Sequence, residues 1–332
     1  MLDACVAHFD TVARYYRLKR RLLGVDRLAH YDIYAPLRRD DAPVPWEEAC
    51  AIVQGAYTRF DADVGRLIAR FFAERWIDAA ARPGKRGGAF CLGISPDWHP
   101  YVLTNYLGRT RDVMTLAHEL EHGLHDLPAA EQHHLQYHPS LAAAETASVF
   151  GEMLTFRALV ERAATPRERL ALLAGKIEDI FATVFRQTAL YRFEQRLHAA
   201  RREQGELREE TIDDIWHATL QAMFGDAVEL GAEYRLWWMY IPHFIHTPFY
   251  VYAYAFGQLL TMALYARYQH EGDAFVPRYL EILRAGGAGR PADLMARAGV
   301  DISRRACWED GLRTIDELVT QAEALGAEAG MP

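Results

Sequence analysis

The sequence is poor in cysteine. Cys5, Cys50, Cys91 and Cys307 are the four thiols of a 332-residue chain, and none forms a C-x-x-C pair. That spacing offers no disulfide framework and no zinc ribbon or dithiol redox motif. It fits reduced thiols in a cytoplasmic protein. Long apolar runs are missing too: nothing approaches the roughly 20 residues that a membrane-spanning helix needs. The opening stretch, MLDACVAHFDTVARYYRLKRR, lacks the apolar centre and cleavage site of a signal peptide. It reads as the first helix of the fold. An excess of positive charge is also lacking. The formal net charge is −8, with no basic patch, which speaks against a nucleic-acid partner. Internal repeats and low-complexity tracts are absent.

What is present is helical periodicity. Hydrophobic residues make up 51% of the chain and charged residues 25%, an ordinary balance for a globular protein. Apolar side chains recur at three- and four-residue spacing, which predicts a mainly α fold. Helices are expected over 1–23, 46–58, 61–80, 111–126, 140–163, 167–203, 211–224, 248–270, 276–285 and 309–326. One segment differs. GGAFCLGISPDWHPYVLTNY (87–106) holds two short β-prone runs around an SPDWHP turn, which predicts a small β-hairpin. The stretch 285–294 reads as a loop leading into a short helix, and the last residues, GAEAGMP, as a frayed end.

The chemistry starts just after that hairpin, in VMTLAHELEHGLHD (113–126). His118 and His122 are four residues apart, so a helix stacks them on one face, where both imidazoles reach one ion. Zinc takes neutral imidazole nitrogen and leaves one position open for water in catalytic sites. Glu119 points off the mean direction of the histidines, where a general base belongs. The plain alternative is a solvated helix face that happens to carry two histidines.

A third ligand separates the two. The long H-E-x-x-H-x-x-G-x-x-H motif would need a histidine at position 128, which is Pro128. His125 shares the face but lies one turn further on, suited to an outer role. SLAAAETASVFGEML offers Glu145 within an apolar helical run. A carboxylate on such a face is costly unless paired or metal-bound, so Glu145 is the expected third ligand. Glu152, two turns on, could accept a hydrogen bond from the outer nitrogen of a ligand histidine. Loop residues His133, His134 and His138 are expected to be exposed.

A metal-assisted peptidase also needs donors for an oxyanion. In YIPHFIHTPFYVYAYAFGQ (240–258), Thr247 and Pro248 resemble a helix start, with His243 and His246 in the entering loop. Tyr250 and Tyr254 would share one face and Tyr252 would point away. Alone, such an aromatic stripe reads as core; the upstream motif makes these four side chains candidates.

The stretches YYRLKRRLLGVDRLAHYDIYAP, RWIDAAARPGKRGGAFC, HPYVLTNYLGRTRDVMTLAHELEHGLHD, LAAAETASVFGEML and PHFIHTPFYVYAYAFGQ resemble, in order, the oligoendopeptidase F group of thimet-oligopeptidase-like zinc metallopeptidases. The resemblance implies a gluzincin-type helical catalytic domain over 1–332 that cleaves short peptides inside a channel. It implies zinc on His118, His122 and Glu145, and Glu119 as base. It implies a transition-state histidine and tyrosine among His243, His246, Tyr250 and Tyr254. It also implies that Gly88, Ala89 and Phe90 begin an edge that pairs with substrate backbone. The match begins near the middle of these enzymes, so the N-terminal half that walls the channel is expected to be absent. A homo-oligomer or a separate N-terminal subunit would then close the channel. Glu121 stands where the family commonly has glycine. It could narrow the cleft, hydrogen-bond a neighbour, repel acidic substrates, or pair with Arg109 or Arg111. The rival readings are a zinc-binding protein that holds peptides without cutting them, and a carboxypeptidase of related helical fold.

Overall fold

Three- and four-residue apolar spacing becomes helix over most of the chain in a computed structural model, which describes residues 1–37, 43–139 and 141–328. Ser140, the first residue of the helix expected from 140, and residues 329–332 of the expected frayed end lie outside the described residues. The fold is mostly helical with one small sheet. Among the described residues no helix is long and apolar enough to cross a membrane. The four cysteines are free thiols.

The chain forms two compact units. One has the bounds Met1–Arg39, Ala164–Leu259 and Leu312–Pro332; the other Asp40–Ala163 and Leu260–Gly311. In the first unit, the expected 1–23 helix is two helices, Leu2–Ala7 and Phe9–Leu23, broken at His8. Gly24, at φ 67°, closes the second through bonds from backbone N–H groups to the Arg20 and Arg21 carbonyls. The expected 167–203 helix is also two, Pro166–Thr183 and Phe185–Gln204. Thr165 and Glu168 cap the former reciprocally, with Pro166 next in line. Lys19 is buried here, held by the Ile33 carbonyl at 2.5 Å and Glu178 at 2.7 Å.

The second unit carries the sheet. The expected 61–80 helix stops at Ala73 (Ala62–Ala73), because Arg75 takes φ 61° and the Trp76 N–H returns to the Phe71 carbonyl at 3.0 Å. Strand β1 (Ile77–Ala80) follows at once. β2 (Phe90–Leu92) and β3 (Tyr101–Tyr106) form the expected antiparallel hairpin, with Cys91 opposite Val102. β1 pairs parallel to β3, so the order is β1-β3-β2 and β2 is an edge. Two long helices then pack against each other, Thr110–Ala129 and Leu141–Arg162, called here the histidine helix and the glutamate helix. Asp112 starts the former by accepting the Leu107 and Arg109 N–H groups at 2.8 and 3.0 Å. Gly123 lets it approach Phe71: a Cβ there would lie 2.5 Å from Cζ of that ring.

Candidate metal centre

Helical geometry does what the spacing asks of it. His118 and His122 project from the histidine helix with ring centroids 4.9 Å apart. The glutamate helix brings Glu145 to them: Oε2 lies 3.5 Å from His118 Nε2, and Oε1 lies 4.0 Å from His122 Nε2. One donor atom from each of the three falls within 4.8 Å of the others. Donors around one tetrahedral zinc stand roughly 3.4 Å apart. The His118–Glu145 pair already has that spacing and the His122–Glu145 pair is somewhat wider, so the set fits a divalent ion. Glu145 departs from expectation in one respect. Its side chain is 44% exposed, so burial is not what makes a partner necessary.

Glu152 is the group behind the site. Its Oε1 lies 2.7 Å from His118 Nδ1. With Nδ1–H donating there, the Nε2 lone pair is left for the cluster. Burial alone would lower the His118 pKa, but Glu152, Glu145 and Glu119 together raise it. At His122 burial, followed by the nearby His118 and His125, outweighs the pull of Glu152 and drops the imidazole to about 3. It therefore stands neutral, as a ligand must. Glu119 is 7% exposed, and burial lifts its carboxyl to about 7 against the pull of His118. It is not one of the three clustered ligands.

His125 does not join them either. It is 2% exposed, burial lowers it to about 4, and neither ring nitrogen has a hydrogen-bond partner among the described residues. Glu121 corrects part of the sequence reading. It makes no pair with Arg109 or Arg111; it is fully buried and accepts the Tyr279 hydroxyl at 2.5 Å. Gly151 of the glutamate helix makes room for it: a Cβ there would run into the Tyr57 hydroxyl and lie 2.6 Å from Glu121 Oε2. His133, His134 and His138 are exposed, as expected.

The sheet edge is shorter than foreseen. Gly88 has φ 80° and lies, like Ala89, before the strand, which begins at Phe90. Two residues the sequence did not flag shape this loop. Lys85 Nζ donates to Asp78 Oδ1 and to the carbonyls of Asp78, Ala80 and Thr104 at 2.6–3.1 Å. Asn105 Nδ2 donates to the Arg86 and Gly88 carbonyls, both at 2.9 Å.

In the other unit, Thr247 and Pro248 do not start a helix. His243 and His246 belong to a short helix, His243–His246, that ends at Thr247, and the next helix, Tyr252–Glu271, starts at Tyr252. The side chains group nonetheless. His243 Nε2 lies 3.1 Å from the Tyr254 hydroxyl, and the Tyr250 and Tyr254 rings are 5.7 Å apart. Tyr252 turns away onto Tyr191, and His246 is exposed.

A mostly helical chain whose H-E-x-x-H helix meets a glutamate from the next long helix defines the gluzincin-type metallopeptidase fold. The chain belongs to peptidase family M3, whose model matches residues 56–314. It is 30% identical over 320 residues to oligopeptidase PepF of Bacillus subtilis, a match covering 96% of this chain and 48% of that protein. It is 28% identical over 327 residues to the chromosomal oligoendopeptidase F of Lactococcus lactis subsp. cremoris, covering 98% of this chain and 54% of that one. A peptidase structure from Chlamydophila abortus superposes with a TM-score of 0.90 at 26% identity, over 98% of this chain and 54% of that one. Oligoendopeptidase-F from Enterococcus faecium shares the fold, with a TM-score of 0.74 at 24% identity over 98% of this chain and 52% of that one. The chain thus spans about half the length of the relatives it matches.

Proposed function

We propose that this chain is a zinc-dependent endopeptidase that hydrolyses short peptides, with residues 1–332 acting as one catalytic domain. The observation that carries the reading is the convergence of His118, His122 and Glu145, with Glu119 one residue along the same helix. These three side chains would hold zinc, whose imidazole and carboxylate preferences they match. When bound, zinc supplies Lewis acidity, polarising a carbonyl and making a water more acidic.

The protein's own groups do the rest. Glu119 takes a proton from the attacking water and returns it to the leaving amine. Glu152 keeps His118 in the tautomer that presents Nε2. Tyr250 or Tyr254, with His243, donates to the oxyanion as it forms; the His243–Tyr254 contact supports acting as a pair. The open edge of β2 offers backbone groups to an extended peptide, in the loop that Lys85 and Asn105 hold. The free thiols agree with a cytoplasmic setting. Association with a second copy or a separate subunit is part of the proposal, and sedimentation of the active species tests it.

E119Q decides the central claim. It should bind zinc like the parent and lose about 10²–10⁴-fold in kcat on an internally quenched peptide. Mass spectrometry of the parent's products should show internal cuts, not single residues leaving the C-terminus. Turnover that survives complete, verified metal removal would sink the proposal.

A further inference from the structure

Glu194 has no part in the chemistry above. It lies in the Phe185–Gln204 helix and is 1% exposed. Its Oε1 accepts the Phe249 backbone N–H at 2.7 Å, and its Oε2 is buried without a hydrogen-bond partner among the described residues. Phe249 itself sits at φ 60°. A bulky residue holds that left-handed conformation only when its surroundings impose it. The same helix face provides the surroundings. Tyr191 and His198, three residues before and four after Glu194, pack on the Phe249 ring at centroid distances of 5.7 and 4.8 Å. One helix therefore grips both the backbone and the ring of a single strained residue.

The strained residue is the pivot of a turn. It separates the short helix His243–His246 from the helix that starts at Tyr252. The course of the chain through it sets the His243–Tyr254 contact at 3.1 Å and the Tyr250–Tyr254 packing at 5.7 Å. Were Phe249 to relax to negative φ, the chain would leave the turn in another direction and those side chains would part.

The geometry points to Glu194 as the positioning residue for the His243, Tyr250 and Tyr254 group: its carboxylate holds the Phe249 turn that brings the three together. The assignment rests on the proposed reading, in which this group serves the oxyanion. Glu194 touches neither substrate nor metal in this role and acts only through the turn. A mere stability role would shift unfolding without separating kcat from KM.

The test compares E194Q and E194A in the zinc-loaded full chain, measuring kcat, KM, zinc content and the crystal structure of each. E194Q keeps an oxygen where Phe249 needs one and should retain near-parental kcat. E194A should lose about 10²-fold in kcat, with KM and zinc content little changed, and the His243–Tyr254 contact should open. Adding F249G to E194A should restore part of the rate, because glycine adopts positive φ without support. Should E194A not fold, E194D withdraws the acceptor by one methylene, and the same fall in kcat is expected. An unchanged kcat, or an intact His243–Tyr254 contact in the variant that lacks the acceptor, overturns the assignment. If the parent chain itself does not cleave peptides, the contact alone decides. Its loss then upholds Glu194 while the peptidase reading falls.

Discussion

His118 divides its two nitrogens between two carboxylates, Glu152 at 2.7 Å and Glu145 at 3.5 Å. Glu152 thereby fixes which nitrogen is free for a metal, and second-ring partners of this kind are worth about 10–100-fold in metal affinity. E152A should weaken zinc binding by that factor in a competition titration against a chromophoric chelator. Equal affinity would show that His118 needs no orienting partner. A second residue speaks through pH. Asp126 is buried, which raises its carboxyl from 3.8 to about 7. It lies close enough to the Cys91 thiol and Tyr137 hydroxyl to raise both. Between about pH 4 and 7 the folded chain keeps this proton while the unfolded chain has lost it, so this group's contribution erodes as pH rises. The ceiling is about 4 kcal/mol for a shift of this size. D126N removes the titration. Its Tm relative to the parent should improve from pH 5 to pH 8; a constant difference would mean that Asp126 titrates normally.

Among the elements, two glycines give opposite answers to one substitution. Gly175 lies in the Pro166–Thr183 helix with nothing within 4 Å of an added Cβ, so G175A should gain about 1 kcal/mol from helix propensity. Gly151 lies in the glutamate helix, where an added Cβ meets Tyr57 and Glu121. Overpacking there costs about 1–3 kcal/mol, outweighing the same propensity gain. G151A should therefore unfold at lower denaturant than the parent and bind zinc more weakly, because the displaced helix carries Glu145. This packing explains which parts of the molecule were legible. The helices, the hairpin and the His118–His122 pair follow from spacing, which is local; Glu145 was expected from its apolar helical run, a premise its 44% exposed side chain does not meet. β1 escaped because Arg75 ends a helix in a left-handed conformation with no glycine to announce it. The Thr247–Pro248 signal failed because the turn through Phe249 is held by Glu194, 55 residues away in sequence. Glu121 was ambiguous on a helical wheel because its partner, Tyr279, lies 158 residues on. A buried glutamate among Leu190 and Phe193 was the one available hint of Glu194.

For the molecule as a whole, the three candidate ligands all belong to the unit with bounds Asp40–Ala163 and Leu260–Gly311. An ion that binds only the folded form stabilises it by mass action, by about 4 kcal/mol when free ion stands at a thousandfold its Kd. That free energy acts on whatever opens together with the ligands. Compact units of this kind commonly open separately, each with its own contacts. Zinc should thus slow amide hydrogen exchange in Thr110–Ala129 and Leu141–Arg162, and leave Phe9–Leu23 and Phe185–Gln204 of the other unit little changed. H118A, with one ligand gone, should show no slowing anywhere at the same zinc concentration. Equal slowing in all four helices would mean that the two units open as one. No slowing in any of them would mean that the three side chains do not bind the ion, and the proposed chemistry would have no metal to work with.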